Sequence, residues 1–249
     1  MSSFVVVIPS RYASARLPGK PLLEINGKPM IQHVFERAIE SEASEVVIAT
    51  DDERIAEAAE TFGATVCMTR DDHESGTARI AEVSELLDWD DSQIVVNLQG
   101  DEPTMPAALV DQCAGLLDDA SADIATLASP FQSVEDFENP NCVKVILDQN
   151  GHAIYFSRAT IPFARDAASS KQARAAALHH HGIYAYRCGV LRRLVMAEPS
   201  VLEAAEKLEQ LRALSLGMTI AVGVPTERPG VGVDTADDLK RAAAELAQI

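Results

Sequence analysis

The sequence predicts an α/β protein, a Rossmann-like, doubly wound and mostly parallel sheet that carries an inserted β-hairpin and loop. Three observations predict it. Short β-branched runs alternate with helix-period segments through the first half, which implies parallel strands joined by crossover helices. An Asn150-Gly151 turn between two apolar runs marks a hairpin in the second half. The 249 residues contain no repeat or low-complexity linker that would force a cut, so 1–249 reads as one domain with an insertion at about 140–190.

The first strand is the apolar run Phe4 to Ile8. Pro29 sits where a helix can start, because its missing N–H falls among the unpaired donors of the first turn. Ile31, Val34, Phe35, Ala38 and Ile39 then recur at helical spacing. Val46 to Ala49 is a second strand, ended by Thr50-Asp51 as a helix-start signal. The helix from about Glu53 to Phe62 stops at Gly63, the residue type that most easily takes a left-handed conformation. Ala64 to Met68 and Ile94 to Leu98 are further strands, with a helix from Thr77 to Leu87 between them and Pro106 opening another. Val143 to Leu147 and Ala153 to Phe156 flank the Asn-Gly turn, and Ser157 to Leu178 reads as a long loop. His180 to Tyr186 is extended, Leu202 to Leu216 a helix, Thr219 to Val224 a strand and Thr235 to Leu246 a closing helix.

Composition narrows the function. A net charge of −17 argues against a general nucleic-acid binder, since phosphate backbones select basic surfaces. No apolar run is long enough to span a bilayer, and no secretory leader pattern opens the chain. Cys67, Cys113, Cys142 and Cys188 are scattered and read as reduced, buried small hydrophobes. A cytoplasmic enzyme is expected. The insertion is apolar on alternate residues yet lies outside the strand–helix alternation, which predicts a homodimer contact.

The chemistry concentrates after the first strand. Ser10-Arg11-Tyr12-Ala13-Ser14-Ala15-Arg16-Leu17-Pro18-Gly19-Lys20 places three cations where open α/β sheets bind ligands, at the carboxyl end of a strand. Guanidinium and ammonium groups with exposed N–H donors suit a polyphosphate; a solvated charged loop is the plainer reading. Asp101, after the Ile94 strand in Gln99-Gly100-Asp101-Glu102-Pro103, suits Mg²⁺ or a turn bonded to its own backbone. Asp234 precedes a helix start at Thr235 and belongs either to the cap or to a ligand. Ser75-Gly76-Thr77 and Arg79 open a helix, as a cap or as an anion-facing N-terminus. His179, His180 and His181 cannot converge on one ion, because side chains alternate across a strand. Without a bulge, His180 shares a face with Tyr184 and Tyr186. Glu209 lies three places before Arg212, the spacing of an ordinary surface ion pair.

These residues also carry a resemblance. Arg11-Tyr12-x-Ser14-x-Arg16-Leu17-Pro18-Gly19-Lys20-Pro21-Leu22 resembles the signature of sugar nucleotidyltransferases of the cytidylyltransferase branch, in the form found among 3-deoxy-manno-octulosonate (Kdo) cytidylyltransferases. The likeness continues through Ser75-Gly76-Thr77, Asn97 to Pro103, Tyr155 to Pro162, His180-His181-Gly182-Ile183-Tyr184 and Gly232 to Thr235. The family usually has Ala at Ser10, Thr at Ala15 and one histidine before the Gly-Ile-Tyr, and none of these departures removes a charged group. The resemblance implies CTP and Kdo as substrates, CMP-Kdo and pyrophosphate as products, and a place in lipopolysaccharide synthesis. It implies Arg11, Lys20 and Asp101 as catalytic residues, and Ser10, Arg11, Ser14, Lys20, Ser75, Gly76, Thr77 and Gln99 as nucleotide contacts. It further implies Gln99, Arg158, Arg165, His180, Tyr184, Glu209 and Gln210 as the sugar pocket, with Mg²⁺ on Asp101 and Asp234. A cytidylyltransferase for sialic acid or an 8-amino Kdo would share most of these residues, and a non-catalytic nucleotide binder would be expected to lose some of them.

Overall fold

The computed structural model describes residues 2–13, 17–118 and 121–248. β1 (Phe4–Ser10) is buried along nearly its whole length and lies mid-sheet. Its even residues Phe4, Val6 and Ile8 join one core with α1 (Met30–Ile39), α2 (Glu53–Thr61) and α4 (Ala107–Gly115). Its odd residues Val5 and Val7 join a second core with α3 (Gly76–Leu86) and α7 (Cys188–Met196) on the other face. The period-2 alternation of one apolar strand thus buries both faces, as a parallel sheet requires.

After β1 the chain makes a short 3-10 turn at Lys20–Leu22 and a small ribbon, β2 (Glu24–Ile25) with β3 (Lys28–Pro29). Then come β4 (Glu45–Thr50), β5 (Thr65–Met68), β6 (Ile94–Asn97) and β7 (Ile124–Pro130), followed by the short helix α5 (Val134–Glu138). β8 (Lys144–Leu147) and β9 (Ala153–Ser157) form the expected hairpin; α6 (Ser170–Ala176) follows, and β10 (Ala177–Arg187) runs on into α7. The chain closes with α8 (Val201–Glu206), α9 (Gln210–Ser215), β11 (Ile220–Gly223) and α10 (Ala236–Leu246). The strand order is β11-β7-β10-β6-β1-β4-β5, with β8 and β9 attached through β10. β1, β4, β5 and β6 are parallel, whereas β10 runs antiparallel to both β6 and β7.

Four expectations change. β2, β3, β7, α5 and α7 form where no element is expected. α6 interrupts the expected loop from Ser157 to Leu178. The Leu202 to Leu216 helix is two helices, broken at Lys207, which takes the left-handed conformation (φ 54°, ψ 48°). The pairing register of β10 with β7 shifts between His181 and Tyr184. Two extra residues enter there, so alternation is kept and His180 still lies beside Tyr184, with tilted rings whose centroids are 5.2 Å apart. No helix among the described residues is long and apolar enough to cross a membrane.

Candidate active site

Backbone geometry assembles the site before any side chain does. Gly19 adopts φ +67°, and a Cβ there would sit 3.1 Å from the Tyr12 ring, so the chain turns tightly and delivers Lys20 inward. A Cβ at Gly100 would lie 2.6 Å from Ser10 Oγ and 3.0 Å from the Pro9 carbonyl, so its bareness lets the loops after β1 and β6 pack together. The segment before α10 folds onto the loop after β6: Val231 N donates to Thr104 Oγ1 at 2.7 Å and Val233 N to the Asp101 carbonyl at 2.8 Å. Those bonds set Asp234 beside Asp101.

Lys20 Nζ donates to Asp101 Oδ2 at 2.6 Å and to Asp234 Oδ1 at 3.2 Å, with the lysine side chain only 11% exposed. The Asp234 side chain therefore faces Lys20 rather than capping the helix. The cap of α10 is Thr235, whose hydroxyl accepts from Asp238 N while the Asp238 carboxylate accepts from Thr235 N. Beside the pair lies Glu102, which the sequence reading does not single out. Burial, reinforced by the charges of Asp101 and Asp234 against the pull of Lys20, pushes its carboxyl up to about 8.

These groups border a cleft of about 320 Å³ lined by Ser10, Arg11, Lys20, Ser75, Gly76, Arg79, Gln99, Asp101 and Asp234, together with His73 and Glu74. Ser10 is 4% exposed and its hydroxyl has no partner among the described residues. Ser14 lies outside the described residues. Ser75 caps α3 by accepting from Ala78 N. Arg79 is buried and bonded to Thr69 Oγ1 and Asp51 Oδ2, which stiffens the cleft wall. His73 borders the cleft with Nε2 2.5 Å from Glu82 Oε2.

A second, smaller cavity of about 80 Å³ shares Gln99 with the first, and Thr77, Asn97, Tyr184, Tyr186, Glu209 and Gln210 also line it. The Tyr184 hydroxyl points to no partner among the described residues. Glu209 does not pair with Arg212. Its carboxylate accepts from Ser75 Oγ at 3.0 Å and Thr77 Oγ1 at 2.5 Å, while Arg212 pairs with Glu203 at 2.6 Å. His180 sits behind Tyr184, bonded to Thr126 Oγ1; burial, then the neighbouring His181 and His179, hold it down at about 3, so it is neutral. Arg158 and Arg165 line neither cavity. The Arg158 guanidinium is bonded to the carbonyls of Pro140, Glu206 and Lys207, and Arg165 is exposed on the loop before α6.

Two carboxylates converging on one ammonium already hold a cation, and oxygen ligands of this kind suit Mg²⁺ bound through carboxylates and substrate phosphates. Among the described residues no group of three or more His, Cys, Asp or Glu side chains gathers as an all-protein metal cage.

The family model described as cytidylyltransferase matches residues 5–220. The solved structure of CMP:2-keto-3-deoxy-manno-octonic acid synthetase complexed with CTP is 44% identical, with 99% of each chain covered and a TM-score of 0.90. A cytidylyltransferase from Leptospira borgpetersenii serovar Hardjo-bovis shares the fold at 19% identity and a TM-score of 0.65, over 100% of this chain and 88% of that one. The 4-diphosphocytidyl-2C-methyl-D-erythritol synthase of Anaerococcus prevotii shares it at 15% identity and 0.64, over 98% and 99%.

Proposed function

Because the chain belongs to the cytidylyltransferase family, we propose that it transfers CMP from CTP to the anomeric hydroxyl of Kdo, giving CMP-Kdo and pyrophosphate. The observation that carries this reading is Lys20 held between Asp101 and Asp234 at the edge of the cleft that Arg11 and the α3 N-terminus also border. The anomeric oxygen, its hydroxyl proton passing to solvent, attacks the α-phosphorus, the bond from that phosphorus to the bridging oxygen breaks, and pyrophosphate departs. Such transfers need mainly positioning and charge stabilisation.

Arg11 and Lys20 offset charge on the triphosphate and on the departing pyrophosphate. The N–H groups at Ser75, Gly76 and Thr77 present the positive end of α3 to the nucleotide. Asp101 and Asp234 would hold Mg²⁺, which when bound supplies charge neutralisation on the triphosphate and polarises the α-phosphate. Gln99 stands between the two cavities, on the nucleotide side and the sugar side at once. Tyr184, Glu209 and Gln210 offer hydroxyl, carboxylate and amide groups to a polyhydroxylated acid, and neutral His180 backs Tyr184. Arg165 and the 140–190 segment supply further contacts to the sugar acid and the surface of a homodimer. The enzyme works in the cytoplasm, and its product feeds lipopolysaccharide assembly.

Pyrophosphate release measured with each of four nucleoside triphosphates against Kdo, 8-amino Kdo and sialic acid tests this reading. Release with CTP and Kdo, and little with the other pairs, is expected. No release, or faster release with another sugar acid, would overturn the assignment.

A further inference from the structure

Glu206 lines neither cavity, yet it ties several parts of the second half together. Its Oε1 accepts from Tyr155 Oη at 3.2 Å and Ser157 Oγ at 2.9 Å; its Oε2 accepts from the backbone N of Arg158 at 2.6 Å. The Arg158 guanidinium reaches back to the Glu206 carbonyl at 2.7 Å and to the carbonyls of Lys207 and Pro140. Glu206 thus joins the end of β9 to the end of α8 by side chain and main chain together. The chain breaks from helix immediately after it, with Lys207 in the left-handed region although it is neither glycine nor asparagine. Leu208 then turns into the core, and Glu209 reaches Ser75 and Thr77 at the mouth of the nucleotide cleft.

We infer that Glu206 is a positioning residue for the sugar-acid cavity: by locking β9 to the α8–α9 break it sets where Glu209 and Gln210 stand. Without the clasp, nothing in the local sequence favours a left-handed lysine, and α8 and α9 contain good helix formers on both sides of it. A helix continued through 207 would turn Glu209 to another angle. The same clasp holds Arg158 on main-chain carbonyls.

The inference rests on the Kdo reading for its kinetic test and on the clasp alone for its physical one. In Glu206→Ala, KM for Kdo should rise about 10- to 100-fold, as misplacement of contacts by an ångström does, while KM for CTP stays within a few-fold. Glu206→Gln should remain near wild type, because its amide oxygen can accept from Arg158 N while its NH₂ donates to the Ser157 and Tyr155 hydroxyls. A purely structural role would lower the melting temperature of Glu206→Ala without separating the two KM values, and that result would overturn the inference. Equal rises in both KM values would overturn it too. Should Glu206→Ala fail to fold, Tyr155→Phe removes only the hydroxyl that donates to Glu206 and should show the same selective rise at smaller amplitude; an unchanged KM for Kdo there counts against the clasp. If the wild-type protein does not turn over Kdo at all, the proposed function falls. Amide exchange at 207–211 still decides the clasp: faster exchange in Glu206→Ala supports it, and unchanged protection refutes it.

Discussion

Replacing Asp234 by asparagine separates the metal pair from the helix cap. The change is near-isosteric and removes one negative charge opposite Lys20. In the structure the cap of α10 belongs to Thr235 and Asp238, so Asp234→Asn leaves both capping hydrogen bonds in place. Among the described residues it weakens the ion pair with Lys20 at 3.2 Å, whose carboxylate side chain is 51% exposed. Exposed pairs contribute about 1 kcal/mol or less. At a domain of this size that moves the melting temperature by roughly 2–4 °C at most. The loss in turnover should be far larger, about 10²- to 10³-fold, the usual effect of removing one group aimed at transition-state charge. Asp101→Asn should do the same, and the double variant should be little worse than either single one, since groups that act as a unit are not additive. Asp238→Asn is the control. It weakens the capping box by about 1 kcal/mol and leaves turnover intact. Steady-state pyrophosphate release and thermal melts on the four proteins decide the matter. Near-normal turnover in Asp234→Asn with a clearly lowered melting temperature would refute the assignment.

Lys20→Met removes a charge-assisted contact of about 1.5–3 kcal/mol, so kcat/KM for CTP should fall about 10- to 150-fold; an unchanged value would take the loop out of the mechanism. Gly100→Ala puts a Cβ into Ser10 Oγ and the Pro9 carbonyl and should destabilise by about 1–3 kcal/mol, read by urea unfolding; a neutral result would mean the loops can separate freely. His180 at about 3 and His181 at about 4, both lowered first by burial, titrate below their unfolded value of 6.5. The unfolded chain therefore binds more protons under pH 6.5, and stability should be full above that pH and fall steadily toward pH 4. His181→Asn should flatten that slope in urea titrations at stepped pH, and an unchanged slope would exclude His181 as its source.

The parallel strands were readable because β-branched runs such as Val46 to Ala49 and Ile94 to Leu98 have few other uses. β7 escaped the reading: Ile124-Ala125-Thr126-Leu127-Ala128-Ser129-Pro130 has small side chains, and it becomes a strand because β10 and β11 pair on either side. The break at Lys207 was equally hidden, since no Gly or Asn marks it and its cause lies in β9. Asp101 and Lys20 stood out by their loops. The proximity of Asp234 to them depends on Val233 bonding the Asp101 carbonyl, which no spacing encodes. From spacing alone Glu209 read as a partner for Arg212, because the local rule for helix spacing says nothing of Ser75 and Thr77. His73 and Glu102 carried no signal beyond being polar residues next to motifs.

The position of β10 also dictates how the chain must be made. It fills the gap between β6 and β7, both of which are synthesised long before it. As the chain leaves the ribosome, β1, β4, β5 and β6 can associate in order, but the outer side of β6 then shows a row of unsatisfied N–H and C=O groups until residues 177–187 emerge. A nascent chain stalled before that point offers an open sheet margin to any other strand, its own copies included. The last third is therefore a keystone rather than an appendage, and a fragment ending before Ala177 should aggregate instead of forming a smaller nucleotide-binding unit.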